Sequence, residues 1–262
     1  MREFTPEYLE HTRRGMWEST AALEPLALES RERVLDVGCG TGELSRVLAA
    51  ESPGEVIGVD AATDLLAVAR EQTGLPTVAG DATRLPVRDG IADLVVCQAL
   101  LINLPDPAAA VREFRRVSSD LVAAIEPNNA AVEVSSTVDA EERLEREVRE
   151  AYLDGVETDV AMGERVVNLF EDAGLETVDR RTYRHEKVVE PPYAEAAMES
   201  AARKASGAGI ATHERELRAA GADYDDLRAR WREMGREVVR SMGEEAYRRR
   251  EVVPFEVTVG RV

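Results

Sequence analysis

The stretch that most constrains this fold is 34–44, where an apolar run ends in an acid and three glycines follow at alternate positions. After Gly42, the apolar residues Leu44, Val47 and Leu48 recur at the spacing of one buried helix face. A strand, a glycine turn and a helix open a nucleotide-binding βαβ unit, because glycine permits close backbone approach and a helix N-terminus offers free N–H groups.

The glycine spacing separates two kinds of nucleotide site. The glycines read G-x-G-x-G, so the third arrives one residue earlier than in the dinucleotide pattern G-x-G-x-x-G. Asp36 stands two positions before Gly38, where a carboxylate can accept hydrogen bonds from an ammonium group, and NAD has no such group. An NAD(P)-linked oxidoreductase is therefore disfavoured. A plain strand-to-helix turn that needs positive φ is the alternative without a ligand.

The string D-V-G-C-G-T-G resembles motif I of the class I S-adenosylmethionine (SAM) methyltransferases, whose loop holds the methionine end of the cofactor. The resemblance is strong over about residues 32–126 and extends to the remainder by element order only. It implies cofactor contacts from Asp36, Gly38, Cys39, Gly40 and Gly42.

The next predicted strand ends at Asp60, 22 positions after Gly38 and near the ~20 expected for an acid that binds ribose hydroxyls. Motif II of the same family ends in such an acid, which implies a ribose contact from Asp60 and a neighbouring contact from Ala61. The alternative is that Asp60 is the N-cap of the following helix.

Gly80-Asp81-Ala82 follows the third predicted strand and resembles motif III. The resemblance implies that the Asp81 carboxylate accepts from the adenine amino group and that the backbone N–H of Ala82 meets a ring nitrogen. Turn chemistry alone could also explain the Gly-Asp pair.

The fourth predicted strand ends at Gln98, where the resemblance places the meeting point of methyl donor and acceptor. Gln98 is therefore a candidate on both the cofactor and the acceptor side. Small-molecule members often have Glu-His before Leu-Pro, and here Ile102 and Asn103 stand there, so the family histidine has no counterpart. The (Asp/Asn)-Pro-Pro-(Tyr/Phe) and Pro-Cys strings of DNA methyltransferases are absent at this strand. The fifth predicted strand runs from Leu121 to Ile125 and is followed by Glu126-Pro127-Asn128-Asn129. Polar residues there would line the acceptor side, although Pro-Asn-Asn is also a common turn.

No catalytic dyad stands out, so the catalytic residues stay unassigned, with Gln98, Asn103, Tyr8 and Trp17 as acceptor-side candidates. Residues 1–30 are predicted to be a helical lid, from which Tyr8, His11, Arg14 or Trp17 could close the site. The alternative is that these side chains pack on the sheet edge.

The predicted fold is α/β, a Rossmann-like sheet of seven strands with the last strand antiparallel and helices on both faces. We expect a lid at 1–30, a SAM-binding core at 31–190, a helical insertion at 191–250 and a final strand at 251–262, because about 60 residues is too long for a loop. In the insertion, arginines recur every four residues: Arg228, Arg232, Arg236 and Arg240. They form either a solvated face paired with Glu233 and Glu237 or a cap for an anionic acceptor.

The chain has a net charge of −18 and only two lysines, Lys187 and Lys204. An acidic surface repels phosphate backbones and argues against a nucleic-acid substrate. It resembles the surface of proteins from salt-loving archaea, although an acidic mesophile protein is the alternative.

Cys39 and Cys97 are predicted to be buried free thiols, and no metal-ligand spacing occurs. No apolar run is long enough to span a membrane, so a cytoplasmic protein is expected.

These features predict a SAM-dependent methyltransferase that acts on a small molecule. SAM carries an already activated methyl group, so the protein chiefly has to bind, orient and exclude water. A non-catalytic SAM-binding module would share every cofactor motif and is the second hypothesis. An NAD(P)-dependent oxidoreductase is the third.

Overall fold

The structure, a computed structural model, describes Leu9, Met16, Trp17 and residues 19–262. The chain forms two compact units. Unit 1 comprises Met1–Asn128, Met162–Tyr183 and Pro254–Val262, and unit 2 comprises Asn129–Ala161 and Arg184–Val253.

The strands among the described residues are β1 (Arg33–Val37), β2 (Glu55–Asp60), β3 (Thr77–Ala79), β4 (Ala92–Gln98), β5 (Ser118–Pro127), β6 (Glu133–Ser136), β7 (Glu176–Val189) and β8 (Arg249–Arg261). The α-helices are α1 (Glu43–Glu51), α2 (Thr63–Thr73), α3 (Pro107–Val117), α4 (Asp139–Gly155), α5 (Val166–Asp172), α6 (Glu195–Ser206), α7 (Ala208–Ala211), α8 (Glu214–Ala219) and α9 (Tyr224–Gly243). Short 3₁₀ turns at Ala21–Leu26 and Leu28–Ser30 precede β1.

The core of unit 1 is a parallel sheet in the order β3-β2-β1-β4-β5, joined by β8, which runs antiparallel to β5. The central strands are apolar runs that are buried along nearly their whole length, as parallel strands covered on both faces require. The strand order reverses between β1 and β4, and ligands of open α/β sheets bind at the carboxyl ends of the strands at such a point. The predicted mixed α/β fold with an antiparallel last strand is confirmed.

The sheet differs from the prediction in strand number, because the described residues contain eight strands instead of seven. The additional strand, β6, is four residues long and pairs with Arg249–Val252 of β8. Its sequence, Glu-Val-Ser-Ser, is too short to show an apolar alternation, and its strand geometry comes from pairing with β8. β5 also continues past the predicted end at Ile125 and includes Glu126 and Pro127.

Unit 2 is mainly helical, and α6–α9 lie within 191–250, the segment for which a helical insertion is expected. Its apolar cluster joins Leu144 and Val148 of α4 to Trp231 and Met234 of α9. The unit therefore includes residues 129–161, which the sequence analysis assigned to the SAM-binding core, because the apolar face of α4 packs in this cluster. Gly235 lets α9 approach α6 closely, since a Cβ there would lie 2.3 Å from the Ala205 nitrogen.

Half of the predicted lid lies outside the described residues, and this half includes Tyr8, His11 and Arg14. Its described part contains a turn at Met16 and Trp17 and the two 3₁₀ turns that precede β1, and Met16 is buried in unit 1. No helix in the described part of the chain is long and apolar enough to cross a membrane.

Candidate functional site

The glycine turn after β1 adopts the backbone conformation that its sequence predicts. Gly38, Gly40 and Gly42 have φ values of 74°, 55° and 84°, in the left-handed region that favours glycine. The backbone N–H groups of Gly38 and Cys39 both donate to the Val59 carbonyl oxygen of β2, at 2.7 and 3.1 Å. The turn is therefore fixed to the carboxyl end of the neighbouring strand.

Asp60 is the residue that fastens the turn to β2. Its Oδ2 accepts from the Gly40 N–H at 2.8 Å, and its Oδ1 accepts from the Ala62 N–H at 2.9 Å. The N-cap of α2 is Ala62, so the alternative in which Asp60 caps that helix is wrong. The half-buried carboxylate retains lone pairs for further donors, because each oxygen accepts one bond here.

Asp36 lies inside unit 1, with 1% of its surface exposed. Its Oδ2 accepts from the Ser45 hydroxyl at 2.5 Å, so the carboxylate ties β1 to α1. The contact with a ligand ammonium group stays a prediction. Sequence reasoning missed the role of Ser45, although a hydroxyl one turn into the helix after a glycine turn is a recognisable signal.

Both cysteines are buried free thiols, as predicted. The Cys39 side chain fills the space beside Gly58, where a Cβ would lie 2.8 Å from its Sγ. Burial raises the pKa of the Cys97 thiol well above its usual value, and the charges of Glu126 and Asp36 raise it further. Cys97 is therefore a protonated, unreactive thiol at neutral pH.

Asp81 forms a local turn at the end of β3. Its Oδ1 accepts from the backbone N–H and the hydroxyl of Thr83, at 2.8 and 2.7 Å. These bonds hold the pKa of the carboxyl below its usual value, so the exposed side chain is ionised. The Asp81 side chain thus forms the local turn that the sequence also allowed. The adenine contacts of Asp81 and Ala82 stay predictions. Ala61 is exposed beside Asp60, and its cofactor contact also stays a prediction.

Gln98 and Asn103 are buried at the carboxyl end of β4 and in the turn that follows it, with 2% and 7% of their surfaces exposed. Gln98 Nε2 contacts Met16 Sδ at 2.7 Å, and Asn103 Nδ2 donates to the Ala99 carbonyl at 2.8 Å. Their side-chain oxygens, and the Trp17 indole Nε1, have no hydrogen-bond partner among the described residues. Buried polar atoms in native proteins normally have partners, so each of these three atoms is a candidate contact for a ligand or a water molecule.

Glu126 is fully buried at the end of β5. Its carboxylate accepts from the backbone N–H groups of Leu100 at 3.0 Å, Leu101 at 2.9 Å and Ile102 at 3.4 Å. Burial raises the pKa of Glu126 to about 7, although these hydrogen bonds favour the ionised form. Sequence reasoning placed this residue among polar groups of the acceptor side, whereas the structure turns it inward onto the turn after β4.

In the described part of the chain, no group of three or more His, Cys, Asp or Glu side chains is placed to hold a metal ion. The site at the carboxyl ends of β1, β2 and β4 is built instead from a glycine turn, carboxylates and amides.

Comparison with known proteins agrees with this geometry. Residues 35–120 match the family model described as a methyltransferase domain. An alignment 99 positions long, which covers 34% of this chain, is 41% identical to demethylmenaquinone methyltransferase of Lactiplantibacillus plantarum. The match spans 42% of that relative's length.

Two solved structures share the fold at low sequence identity. One is a Bacillus halodurans protein assigned as a methyltransferase, with a TM-score of 0.53 and 17% identity over 90% of this chain and 96% of that one. The other is a SAM-dependent methyltransferase from Aquifex aeolicus, with a TM-score of 0.51 and 19% identity over 72% of this chain and 93% of that one. Residues 35–120 are therefore similar to a methyltransferase domain, in agreement with the resemblance seen in the motifs, and the two solved structures share the fold.

Proposed function

We propose that this protein binds SAM and transfers its methyl group to a small-molecule acceptor. The observation that carries the proposal is the glycine turn at the strand-order reversal, fastened by Asp60 to the tip of β2. This arrangement presents backbone at positive φ beside a carboxylate with unused lone pairs, which suits an amino acid joined to a ribose.

The residues present fit that cofactor at each of its three parts. The turn from Gly38 to Gly42 would hold the methionine end, Asp60 the ribose hydroxyls, and Asp81 with Ala82 the adenine ring. Bound SAM supplies a sulfonium-activated methyl group for in-line attack by a nucleophile. The protein's part is to bind, orient and exclude water, which needs no dedicated nucleophile of its own.

The acceptor side is proposed at Gln98, Asn103 and Trp17. The two amide oxygens need hydrogen-bond donors, and the indole N–H needs an acceptor. A hydroxyl or amine group on an apolar body supplies both kinds of partner, and the neighbouring Leu101 and Ile102 are apolar and buried. This chemistry favours a neutral acceptor over an anionic one. The relative's quinone substrate is not carried over, because the match covers 99 residues only.

The test of the cofactor is calorimetric titration with SAM, S-adenosylhomocysteine and NAD. We expect tight binding of SAM and its product and none of NAD. Asp60→Ala should abolish binding, while Asp64→Ala, an exposed acid in the first turn of α2, should leave it unchanged. Binding of NAD without a response to SAM would overturn the proposal.

Turnover separates the enzyme from a non-catalytic SAM-binding module. The measurement is release of S-adenosylhomocysteine in the presence of matched probes, such as a phenol, an aromatic amine and an aromatic carboxylate. We expect release with a hydroxyl or amine probe and none with the carboxylate. Tight SAM binding with no turnover on any probe would favour the binding module.

A further inference from the structure

The turn after β4 is held by a single buried carboxylate. Glu126 accepts hydrogen bonds from three consecutive backbone amides, those of Leu100, Leu101 and Ile102. Its Oε1 also faces the Cys97 thiol at 3.7 Å. The four donors are all neutral, and none of the ion pairs among the described residues involves Glu126.

The arrangement excludes Glu126 as a general base for the acceptor. The carboxylate is already bound by four donors, because Oε1 receives Leu100, Leu101 and the Cys97 thiol, and Oε2 receives Ile102. The side chain is also completely buried, and a base must reach the proton that it removes. Its role must therefore be exerted through the turn that it binds.

The turn after β4 contacts the glycine turn after β1. A Cβ placed on Gly38 would lie 2.8 Å from Leu100 Cδ1, so the Leu100 side chain lies directly against Gly38. Ala99, which begins the turn, has a φ of 49°, a conformation that a residue with a Cβ adopts only when its surroundings impose it. Asn103 at the other end donates to the Ala99 carbonyl. The turn 99–103 thus contacts the proposed methionine pocket through Leu100 and carries Asn103 of the proposed acceptor side.

We propose that Glu126 is a positioning residue of the cofactor site: its ionised carboxylate fixes the turn after β4 and thereby sets Leu100 against Gly38. The inference rests on the proposed function, since it assumes that the glycine turn binds SAM. Protonation places a donor where the amides need an acceptor, so the turn is held less firmly in the acid form. Burial raises the pKa of Glu126 to about 7, which brings this change into the range of ordinary assays.

Two ionisable groups face Glu126 from the strands beside it. Cys97 of β4 is the first, and its raised pKa keeps it neutral. The second is Glu256 of β8, whose Cα pairs with that of Glu126. Glu256 accepts from the Thr182 hydroxyl at 3.0 and 3.1 Å and lies 3.8 Å from Arg180. Glu256 is therefore a matched control: a buried acid at the same register that does not bind the turn.

The experiment is calorimetric titration of the full chain with S-adenosylhomocysteine between pH 6 and pH 8. We expect affinity to fall about tenfold from pH 8 to pH 6, the cost of one weakened hydrogen bond to a charged group. At pH 7, buffers of different ionisation enthalpy should show that binding releases protons. Glu126→Gln should bind weakly, without pH dependence or proton release, whereas Glu256→Gln should keep the wild-type profile.

The wild-type profile alone keeps the proposal falsifiable if Glu126→Gln does not fold. A flat profile from pH 6 to pH 8, or a Glu126→Gln protein with wild-type affinity and profile, would overturn it. A lower melting temperature with unchanged binding would also overturn it, because the role would then be structural only. Absence of S-adenosylhomocysteine binding by the wild type at every pH would instead remove the proposed function itself.

Discussion

Two buried glutamates, one in each compact unit, have opposite pKa shifts. In unit 1, Glu126 is bound by backbone amides and a thiol, and burial raises its pKa to about 7. In unit 2, Glu145 accepts from Lys204 at 2.6 Å and from Arg249 at 2.7 Å. Burial raises its pKa as well, but these two cations outweigh burial and lower the pKa to about 2.

The difference shows what each kind of partner can do for a buried charge. Neutral donors satisfy the hydrogen-bonding capacity of a carboxylate but do not offset its loss of hydration, whereas a cation contributes a Coulombic attraction that does. Glu145 in unit 2 is thus an anchor that is ionised at neutral pH. Lys204 also contacts the fully buried Glu141, which accepts from the Tyr247 hydroxyl. Glu126 is instead a group whose charge changes near neutral pH, at the edge of the candidate site.

The largest effect is expected from removing a cation of the unit 2 cluster. Lys204→Met leaves Glu141 and Glu145 buried with less compensating charge, so the free energy of unfolding should fall by about 3–5 kcal/mol. Urea unfolding at pH 7 measures it. Arg230→Gln, which breaks an exposed pair with Glu147, is the control and should cost about 0–1 kcal/mol. Equal losses in the two variants would show that burial of the cluster does not matter.

The two glutamates should contribute opposite slopes to the pH dependence of stability. The pKa of Glu145 lies below the usual 4.5, so its stabilisation is lost as pH falls from 4.5 to about 2. The pKa of Glu126 lies above 4.5, so its contribution is lost as pH rises from 4.5 to about 7. Across each of these two pH ranges, the free energy of unfolding should change by up to about 3 kcal/mol.

Urea unfolding of two variants separates these windows. Glu126→Gln should flatten the profile between pH 4.5 and pH 7 only, and Glu145→Gln between pH 2 and pH 4.5 only. The comparison fails if either substitution flattens the stability profile in the pH range assigned to the other residue.

A smaller effect is expected in the glycine turn. Gly38→Ala forces a Cβ into the left-handed region and against Leu100, which should cost about 1–3 kcal/mol of folding free energy. Leu100→Ala should relieve the collision but not the backbone strain, so the double variant recovers part of the loss. Thermal unfolding of the single and double variants gives the coupling energy. Strict additivity would show that Leu100 and Gly38 do not interact.

The smallest effect is expected on the exposed arginine row of α9. Arg232, Arg236 and Arg240 are exposed and form no ion pair with other described residues, in contrast to Arg249. Arg236→Gln should therefore change the free energy of unfolding by no more than about 0.5 kcal/mol. A loss above about 1 kcal/mol would mean that this row has a partner within the folded chain. The pairing with Glu233 and Glu237 considered from sequence is not among the ion pairs of the described residues.

Much of the fold follows from the sequence because its signals are local. Apolar runs, glycines at alternate positions and acids at strand ends predicted the parallel core and the site around Asp60. The short strand β6 carries no such signal and exists only where β8 lies beside it. The assignment of α4 to unit 2 likewise depended on which apolar face it packs against.

By itself the sequence determined the backbone of the site. Gly38, Gly40 and Gly42 supply the positive φ values of the turn after β1, and Asp60, whose carboxylate binds this turn, ends the next strand. Only the tertiary structure decided what buried polar side chains do, because their partners are distant in the chain. Glu126 meets Leu100 across 26 positions, Lys204 meets Glu141 across 63, and Gln98 meets Met16 across 82. The pKa of a carboxylate depends on its burial and on the charge of such partners, which no local pattern encodes.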